Sequence, residues 1–397
     1  MRNILFVIGS YPSYGGTEKI TTVLANAFVN RGHNVSIVSF KQPNPELKDE
    51  ELHKSIKLFS LSYPVLTNSN IKILKTIIEE QNINIILNQW CLPYYVTKLI
   101  NKARSKNKCI LISALHGAPN QNKRLLTLVH KKNNTNSSIG KKIYKLLHQL
   151  LLNLTGYNLR YVYKKSDLYV VLSQSFVNIF KNLANIKTTD KIIAIPNPIT
   201  IKAPKNLNGL NLNNKQKTIL YVGRMDFLNK RVHRVIEAWE QIYEKHPDWN
   251  LVLVGDGSEK ETLNTYVKNK NIKRVIFESF KKEPPIEFYK KASVLMLTSD
   301  LEGFGLVVIE GMAYGCIPIV YGSYPAIYDI IEDTKSGFIT PIPYSQDITV
   351  KKLESLINNQ TLRQNMSRDA YHKAQKFALE TTVNNWENKF EEFHVIQ

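Results

Sequence analysis

Apolar residues open the chain as a strand-length run and then change period. Asn3–Ile8 is almost wholly apolar, Gly15-Gly16 follows, and Ile20, Val23, Leu24, Ala27 and Phe28 then recur at the three- and four-residue steps of one helix face. Gly32 ends that helix, and Asn34–Phe40 returns to a strand pattern. Strand, glycine turn, helix, strand is a βαβ unit of Rossmann type and predicts a parallel sheet. Further strands are predicted at Ile83–Leu87, Cys109–Ala114, Leu168–Leu172 and Lys191–Ile195, with Lys123–Lys165 an amphipathic helical stretch broken by the polar tract Lys131–Ser138.

Pro196-Asn197-Pro198 and the polar stretch Lys202–Lys217 interrupt the pattern, because two prolines stop regular structure and the residues after them have little to bury. The pattern then restarts. Strand Thr218–Val222, Gly223, helix Val232–Lys245, strand Asn250–Val254, the turn Gly255-Asp256-Gly257, a helix and strand Val275–Glu278 are followed by strand Val294–Thr298, a loop, helix Leu306–Tyr314 and strand Ile317–Tyr321. The fold class is therefore α/β, with two tandem Rossmann-like doubly wound domains and a cleft expected between the carboxyl ends of their sheets. The expected divisions are 1–200, 201–375 and a terminal helix over 376–397, whose Phe377, Val383, Trp386 and Phe390 would pack back on the first domain.

Length and composition agree with two cores: 397 residues, 43% of them hydrophobic. Charge changes the picture. The chain carries 53 Lys+Arg against 33 Asp+Glu, a net of +20, and nearly all of the excess lies in one half. Residues 1–197 hold 27 basic and 9 acidic side chains, whereas 198–397 hold 26 and 24. No acidic residue occurs between Glu80 and Asp167, and Lys98–Lys165 contains 15 Lys or Arg. Such a field implies an anionic partner for the first domain. Three cysteines are too few for a disulfide framework and too scattered for a zinc site. No apolar run approaches the ~18 residues of a membrane span. A membrane is expected to be met from its cytoplasmic face, where anionic lipid attracts each Lys or Arg by about 1 kcal/mol.

Three strand-to-helix turns carry candidate chemistry. Gly15-Gly16-Thr17-Glu18 combines close backbone approach with helix N-terminal amides suited to phosphate, and it lacks the Gly-x-Gly-x-x-Gly of dinucleotide-binding dehydrogenases. Gly223-Arg224 with Lys230-Arg231 brings cations to a second such turn, where they would hold a diphosphate. Glu302-Gly303-Phe304-Gly305-Leu306 enters a helix that carries Glu310, so two carboxylates and several amides could receive sugar or ribose hydroxyls. His116-Gly117 follows a strand and sits at a carboxyl end of the first sheet.

In order and spacing, these elements resemble the retaining glycosyltransferases of family four, which have the GT-B fold, and the resemblance covers nearly the whole chain. It is carried by Gly-Gly-x-Glu at 15–18, His116-Gly117, Asn197, Gly223-Arg224 with Lys230, Gly255-Asp256-Gly257 and the Glu-x7-Glu element at 302–310. The resemblance implies a nucleotide-sugar donor whose diphosphate is held by Arg224 and Lys230 and whose ribose is held by Glu310. Glu302 and the amides of Gly303, Phe304, Gly305 and Leu306 would hold the transferred sugar. Gly15 and Gly16 would close on the diphosphate, His116 would lie by the sugar's C6 hydroxyl and anomeric carbon, and Glu18 and Asn197 would face the acceptor.

The implied reaction moves a hexose or N-acetylhexosamine with retention, without metal or other cofactor. The implied acceptor is a lipid-linked, lipopolysaccharide- or capsule-type glycan at the inner face of the cell membrane, and no nucleic-acid partner is expected. UDP is the expected donor nucleotide because it is the most frequent among similar proteins. Family members often have Gly where this chain has Glu278-Ser279-Phe280, and smaller residues where it has Met312 and Tyr314. A nucleotide-sugar epimerase shares the fold but needs its own acid–base carboxylates. A non-enzymatic polyanion binder would explain the charge and not the four residues Arg224, Lys230, Glu302 and Glu310.

Overall fold

A computed structural model describes residues 1–105, 109–207, 210, 212, 215–279 and 284–393. The chain forms two units: the first takes Met1–Gln121, Leu128–Thr200 and the residues from Leu379 on, the second Asn122–Thr127 and Ile201–Ala378.

The first unit alternates strand and helix: β1 (Asn3–Ser10), α1 (Gly16–Asn30), β2 (Asn34–Lys41), α2 (Leu47–Glu51), β3 (Lys57–Ser60), α3 (Asn68–Glu80), β4 (Ile85–Asn88), α4 (Tyr94–Ala103) and β5 (Ile110–Leu115). Next come α5 (Lys123–Asn134), whose residues up to Thr127 fall in the second unit, α6 (Ser138–Lys165), β6 (Leu168–Val171), α7 (Ser175–Ala184) and β7 (Ile192–Ala194). Its sheet runs β3-β2-β1-β4-β5-β6-β7. The pairings are parallel, β1 matching Asn3 to Asn34 on one side and Ile4 to Ile85 on the other. A strand so placed is covered on both faces, which is why Ile4, Leu5, Phe6 and Val7 are all fully buried rather than alternating.

The second unit repeats the arrangement with β8 (Gln216–Val222), α8 (His233–Glu240), β9 (Asn250–Val254), α9 (Lys260–Asn269), β10 (Val275–Glu278), α10 (Ile286–Lys291) and β11 (Ala292–Leu297). It continues through α11 (Leu306–Ala313), β12 (Ile317–Tyr321), α12 (Ile327–Ile330), β13 (Phe338–Thr340), α13 (Gln346–Asn358) and α14 (Gln360–Ala374). Its sheet is β10-β9-β8-β11-β12-β13, again parallel. Both sheets reverse strand order beside their first strand, the doubly wound topology in which ligands meet the carboxyl ends of the strands.

After α14 the chain turns into α15 (Leu379–Glu392), which belongs to the first unit. Thr382, Val383, Trp386 and Phe390 form its buried stripe. The Phe390 ring lies 5.5 Å from that of Phe28 on α1, and Arg2 donates from Nη2 to the Phe390 carbonyl at 2.7 Å. Arg31 reaches Glu380 at 2.5 Å and Glu387 at 3.2 Å.

Several details depart from the sequence reading. The edge strands β3 and β13 and the helices α3, α4, α7, α13 and α14 were not among the predicted elements. An edge strand has one neighbour and can be three or four residues long, too short for a period to register. The helix expected to run to Lys245 ends at Glu240. The polar tract Lys131–Ser138 is helical as far as Asn134, and the break is confined to 135–137, where Ser137 caps α6 by accepting from Gly140 N–H at 3.1 Å. Phe280, part of the Glu278-Ser279-Phe280 departure, lies outside the described residues. The other departure has a packing reason: Met312 is fully buried and Tyr314 stacks on Tyr289 with its hydroxyl on the Lys202 carbonyl.

Candidate active site

In the second sheet the strand order reverses between β8 and β11. The loops leaving these two strands bring Arg224, Lys230, Glu302 and the start of α11 together. Asp226 organises the first loop: its Oδ1 accepts from the backbone N–H of Asn229 at 2.6 Å and of Lys230 at 3.1 Å, and its Oδ2 from Arg224 Nε at 2.8 Å. Burial alone would raise this carboxyl, but these bonds outweigh it and hold the group below its usual range.

Asp300 ties the first loop to the second. Its carboxylate takes Arg231 Nε and Arg234 Nη1, each at 2.6 Å, and its N–H donates to Asn229 O at 2.7 Å. Between the loops, Lys230 Nζ donates to Glu302 Oε1 at 2.5 Å. Side-chain exposures of 21% and 11% make this a largely shielded pair, whereas Arg224 is 61% exposed.

Helix α11 begins at a backbone position few residue types accept. Gly305 has φ of 93°, and a Cβ there would lie 2.5 Å from the Tyr324 hydroxyl. Tyr324 is fully buried, and its hydroxyl has no partner among the described residues. Burial, with the charge of Glu302 adding, drives its ionisation well above the usual range, so it remains a neutral donor. Among the described residues no side chain caps α11. One turn further on, Glu310 is buried and accepts from Tyr289 Oη at 3.2 Å. Gly255 serves a close approach, since a Cβ there would stand 2.0 Å from the Gly223 carbonyl.

The first unit holds the other candidates beyond the carboxyl ends of β1, β5 and β7. Gly15 and Gly16 are exposed, and Glu18 folds back so closely that a Cβ on Gly15 would be 2.1 Å from its Oε2. Burial raises the Glu18 carboxyl. His116 Nε2 donates to Gln89 Oε1, which leaves Nδ1 as the acceptor. Among the described residues neither that Nδ1 nor Gln89 Nε2 has a hydrogen-bond partner, and both are buried. Burial lowers the His116 pKa to about 4, so the ring is neutral near pH 7. Asn197 is buried beyond β7, apart from the hydrogen bonds just described.

Two family models match consecutive parts of the chain: Glycosyltransferase Family 4 over residues 14–202 and Glycosyl transferases group 1 over 203–373. The chain belongs to the family-four glycosyltransferases. An uncharacterized glycosyltransferase of Haemophilus influenzae is 26% identical over 97% of this chain and 99% of its own length. The amylovoran biosynthesis glycosyltransferase AmsD of Erwinia amylovora is 21% identical over 97% of this chain and 99% of its own length. Among solved structures, Anabaena HepE in complex with UDP superposes with a TM-score of 0.72 at 18% identity, covering 99% of this chain and 100% of that one. That likeness establishes the GT-B fold.

In this glycosyltransferase Lys230 and Glu302, expected to touch different parts of a donor, are also in contact with each other. Asp226, Asp300, Tyr324, Tyr289 and Gln89 were not among the sequence candidates. Asp226 and Asp300 each stand two positions from one, Arg224 and Glu302, so a search for charges flanking the motifs would have found them. Tyr289 and Gln89 carry no local signal, because their partners Glu310 and His116 come from other elements, and Tyr324 is marked only by its place beside Gly305.

Proposed function

We propose that this glycosyltransferase moves a hexose or N-acetylhexosamine, with retention, from a UDP-sugar to a lipid-linked glycan acceptor in surface-polysaccharide assembly. The observation that carries the donor side is the convergence of Arg224, Lys230, Glu302 and the uncapped start of α11 at the strand-order reversal of the second sheet. Arg224 and Lys230 take the diphosphate, Glu310 the ribose, and Glu302 with the amides of Gly303–Leu306 the sugar. Gly15 and Gly16 close on the diphosphate, and Glu18 and Asn197 meet the acceptor. HepE's complex with UDP supports the choice of nucleotide, and AmsD's role in amylovoran biosynthesis supports the choice of product class. The basic first half supports an acceptor bearing phosphate.

In this reading the bond from the anomeric carbon to the diphosphate breaks with its electrons on the phosphate oxygen. The acceptor hydroxyl bonds to the same face, and its proton passes to that departing oxygen. Charge grows on the phosphate, where Arg224 and Lys230 stabilise it, so a chelator leaves the rate unchanged. A donor displaces part of the Lys230–Glu302 contact and frees both groups for itself. His116, neutral with a free acceptor nitrogen, receives a sugar hydroxyl rather than serving as a base.

Thermal unfolding with UDP-, GDP- and ADP-sugars tests the reading. Saturating UDP-sugar stabilises the protein, by about 2.7 kcal/mol at 100 times its dissociation constant, and Arg224→Ala removes the effect. Arg224→Ala and Lys230→Ala each lower the transfer rate by on the order of 10²-fold or more. Full activity in either variant defeats the diphosphate assignment.

A further inference from the structure

Helix α6 is anchored at one end only. From Thr155 onward it packs: Leu159 and Val162 are fully buried, a Cβ on Gly156 would stand 2.2 Å from the Leu183 carbonyl, and Arg160 Nε donates to Ala184 O at 2.5 Å. Over residues 138–154 no side chain is buried. Within that stretch Ile139, Ile143, Leu146, Leu147, Leu150 and Leu154 are exposed by 70, 51, 62, 44, 51 and 61%. At 3.6 residues per turn these six positions fall within an arc of roughly 100°, one continuous face. Tyr144, His148 and Leu151, on a different side of the helix, are half-buried. Other exposed apolar side chains, such as Ile73 and Ile276, are scattered singly and need no partner.

We infer that this face of α6 inserts into the surface of an anionic lipid bilayer, with the helix lying in the plane of the interface. Lys142 borders the face, Lys141 and Lys145 lie behind it on the same turns, Lys131 and Lys132 stand in the last turn of α5 just before it, and the nearest acidic residues in sequence are Glu80 and Asp167. A second copy of the chain would bring one unbroken positive field against another, whereas acidic headgroups neutralise it. Among the described residues no helix is long and apolar enough to cross a membrane, and an amphipathic helix of this kind lies at the boundary of headgroup and acyl chain. The contact rests on the lipid-linked acceptor reading for its purpose; its geometry is independent of it.

Flotation with vesicles decides the matter. The wild-type chain floats with phosphatidylcholine vesicles containing about 30 mol% phosphatidylglycerol and stays behind with phosphatidylcholine alone. Leu146→Glu combined with Leu150→Glu lowers partition by at least about tenfold without altering thermal unfolding, since both side chains are exposed. Changing Lys141, Lys142 and Lys145 to Gln also weakens partition and flattens its salt dependence. The inference is overturned if the wild type does not float, if the double glutamate variant floats equally well, or if that variant converts a soluble dimer to monomer, which would make a second copy the occupant. Release of UDP from donor without vesicles separates this contact from the proposed reaction: it persists in the double variant, and its absence from wild type would defeat the reaction and leave the flotation result standing.

Discussion

Gly305 and Tyr324 show how single atoms set the shape of the candidate site. The backbone at Gly305 has positive φ, and the Tyr324 hydroxyl occupies the space a Cβ would need, at 2.5 Å. Gly305→Ala therefore costs about 1–3 kcal/mol, through strain and through displacement of the tyrosine. Tyr324→Phe in the same chain recovers part of that loss by removing the oxygen and leaves the φ strain. A double-mutant cycle on urea unfolding reads a coupling above about 0.5 kcal/mol, and additive losses would place the tyrosine elsewhere. His116 makes a second residue-scale prediction. Its pKa is about 4 when folded against an ordinary 6.5, so between those values the unfolded chain binds more protons and stability falls as pH drops. His233, lowered to about 4 by burial and by Arg231 and Arg234, acts in the same direction. The melting temperature of wild type thus declines below pH 6.5 more steeply than that of His116→Asn, while above it the two curves run parallel. By the same token no limb of the activity profile near 6.5 belongs to His116.

At the scale of elements, helix α15 shows which contacts hold. Trp386 and Phe390 are buried against the first unit, while the ion pairs of Arg31 with Glu380 and Glu387 lie at the surface. Trp386→Ala or Phe390→Ala should cost about 3–5 kcal/mol in denaturant unfolding. Arg31→Ala should cost under about 1 kcal/mol, because exposed charges are already well solvated. Val383, Trp386 and Phe390 were legible as a helix face because their period is local, whereas Phe377, expected in the same stripe, precedes α15 and belongs to the second unit, its ring 5.7 Å from that of Phe304. The strands of both sheets were legible for the same reason, since parallel strands covered on two faces are continuous apolar runs. Of the short edge strands β7 and β10 were legible and β3 and β13 were not, since three or four residues carry little pattern of their own and depend on a neighbouring strand offering hydrogen bonds. Asp300 belongs to the same class: its role comes from two loops that the sheet order brings side by side, each following a different strand.

Across the whole molecule, charge and motif order were written in the chain, and contact was not. The uneven charge, with the excess in residues 1–197, needs no structure to see, nor does the succession of glycine turns, cations and paired glutamates that marks a glycosyltransferase. Two α/β units follow from the restart of the pattern after Pro198. Periodicity, turn chemistry and motif spacing act over a few residues, so the linear chain determines them. The Lys230–Glu302 pair spans 72 positions, Gln89 meets His116 across 27, and Arg2 meets Phe390 across 388. Each such contact depends on which strand neighbours which, a choice made by burying all the helices and strands at once. The exposed face of α6 is the other case: the sequence shows an amphipathic helix but not which apolar residues find a partner inside the unit, and only the packed structure leaves that stripe uncovered.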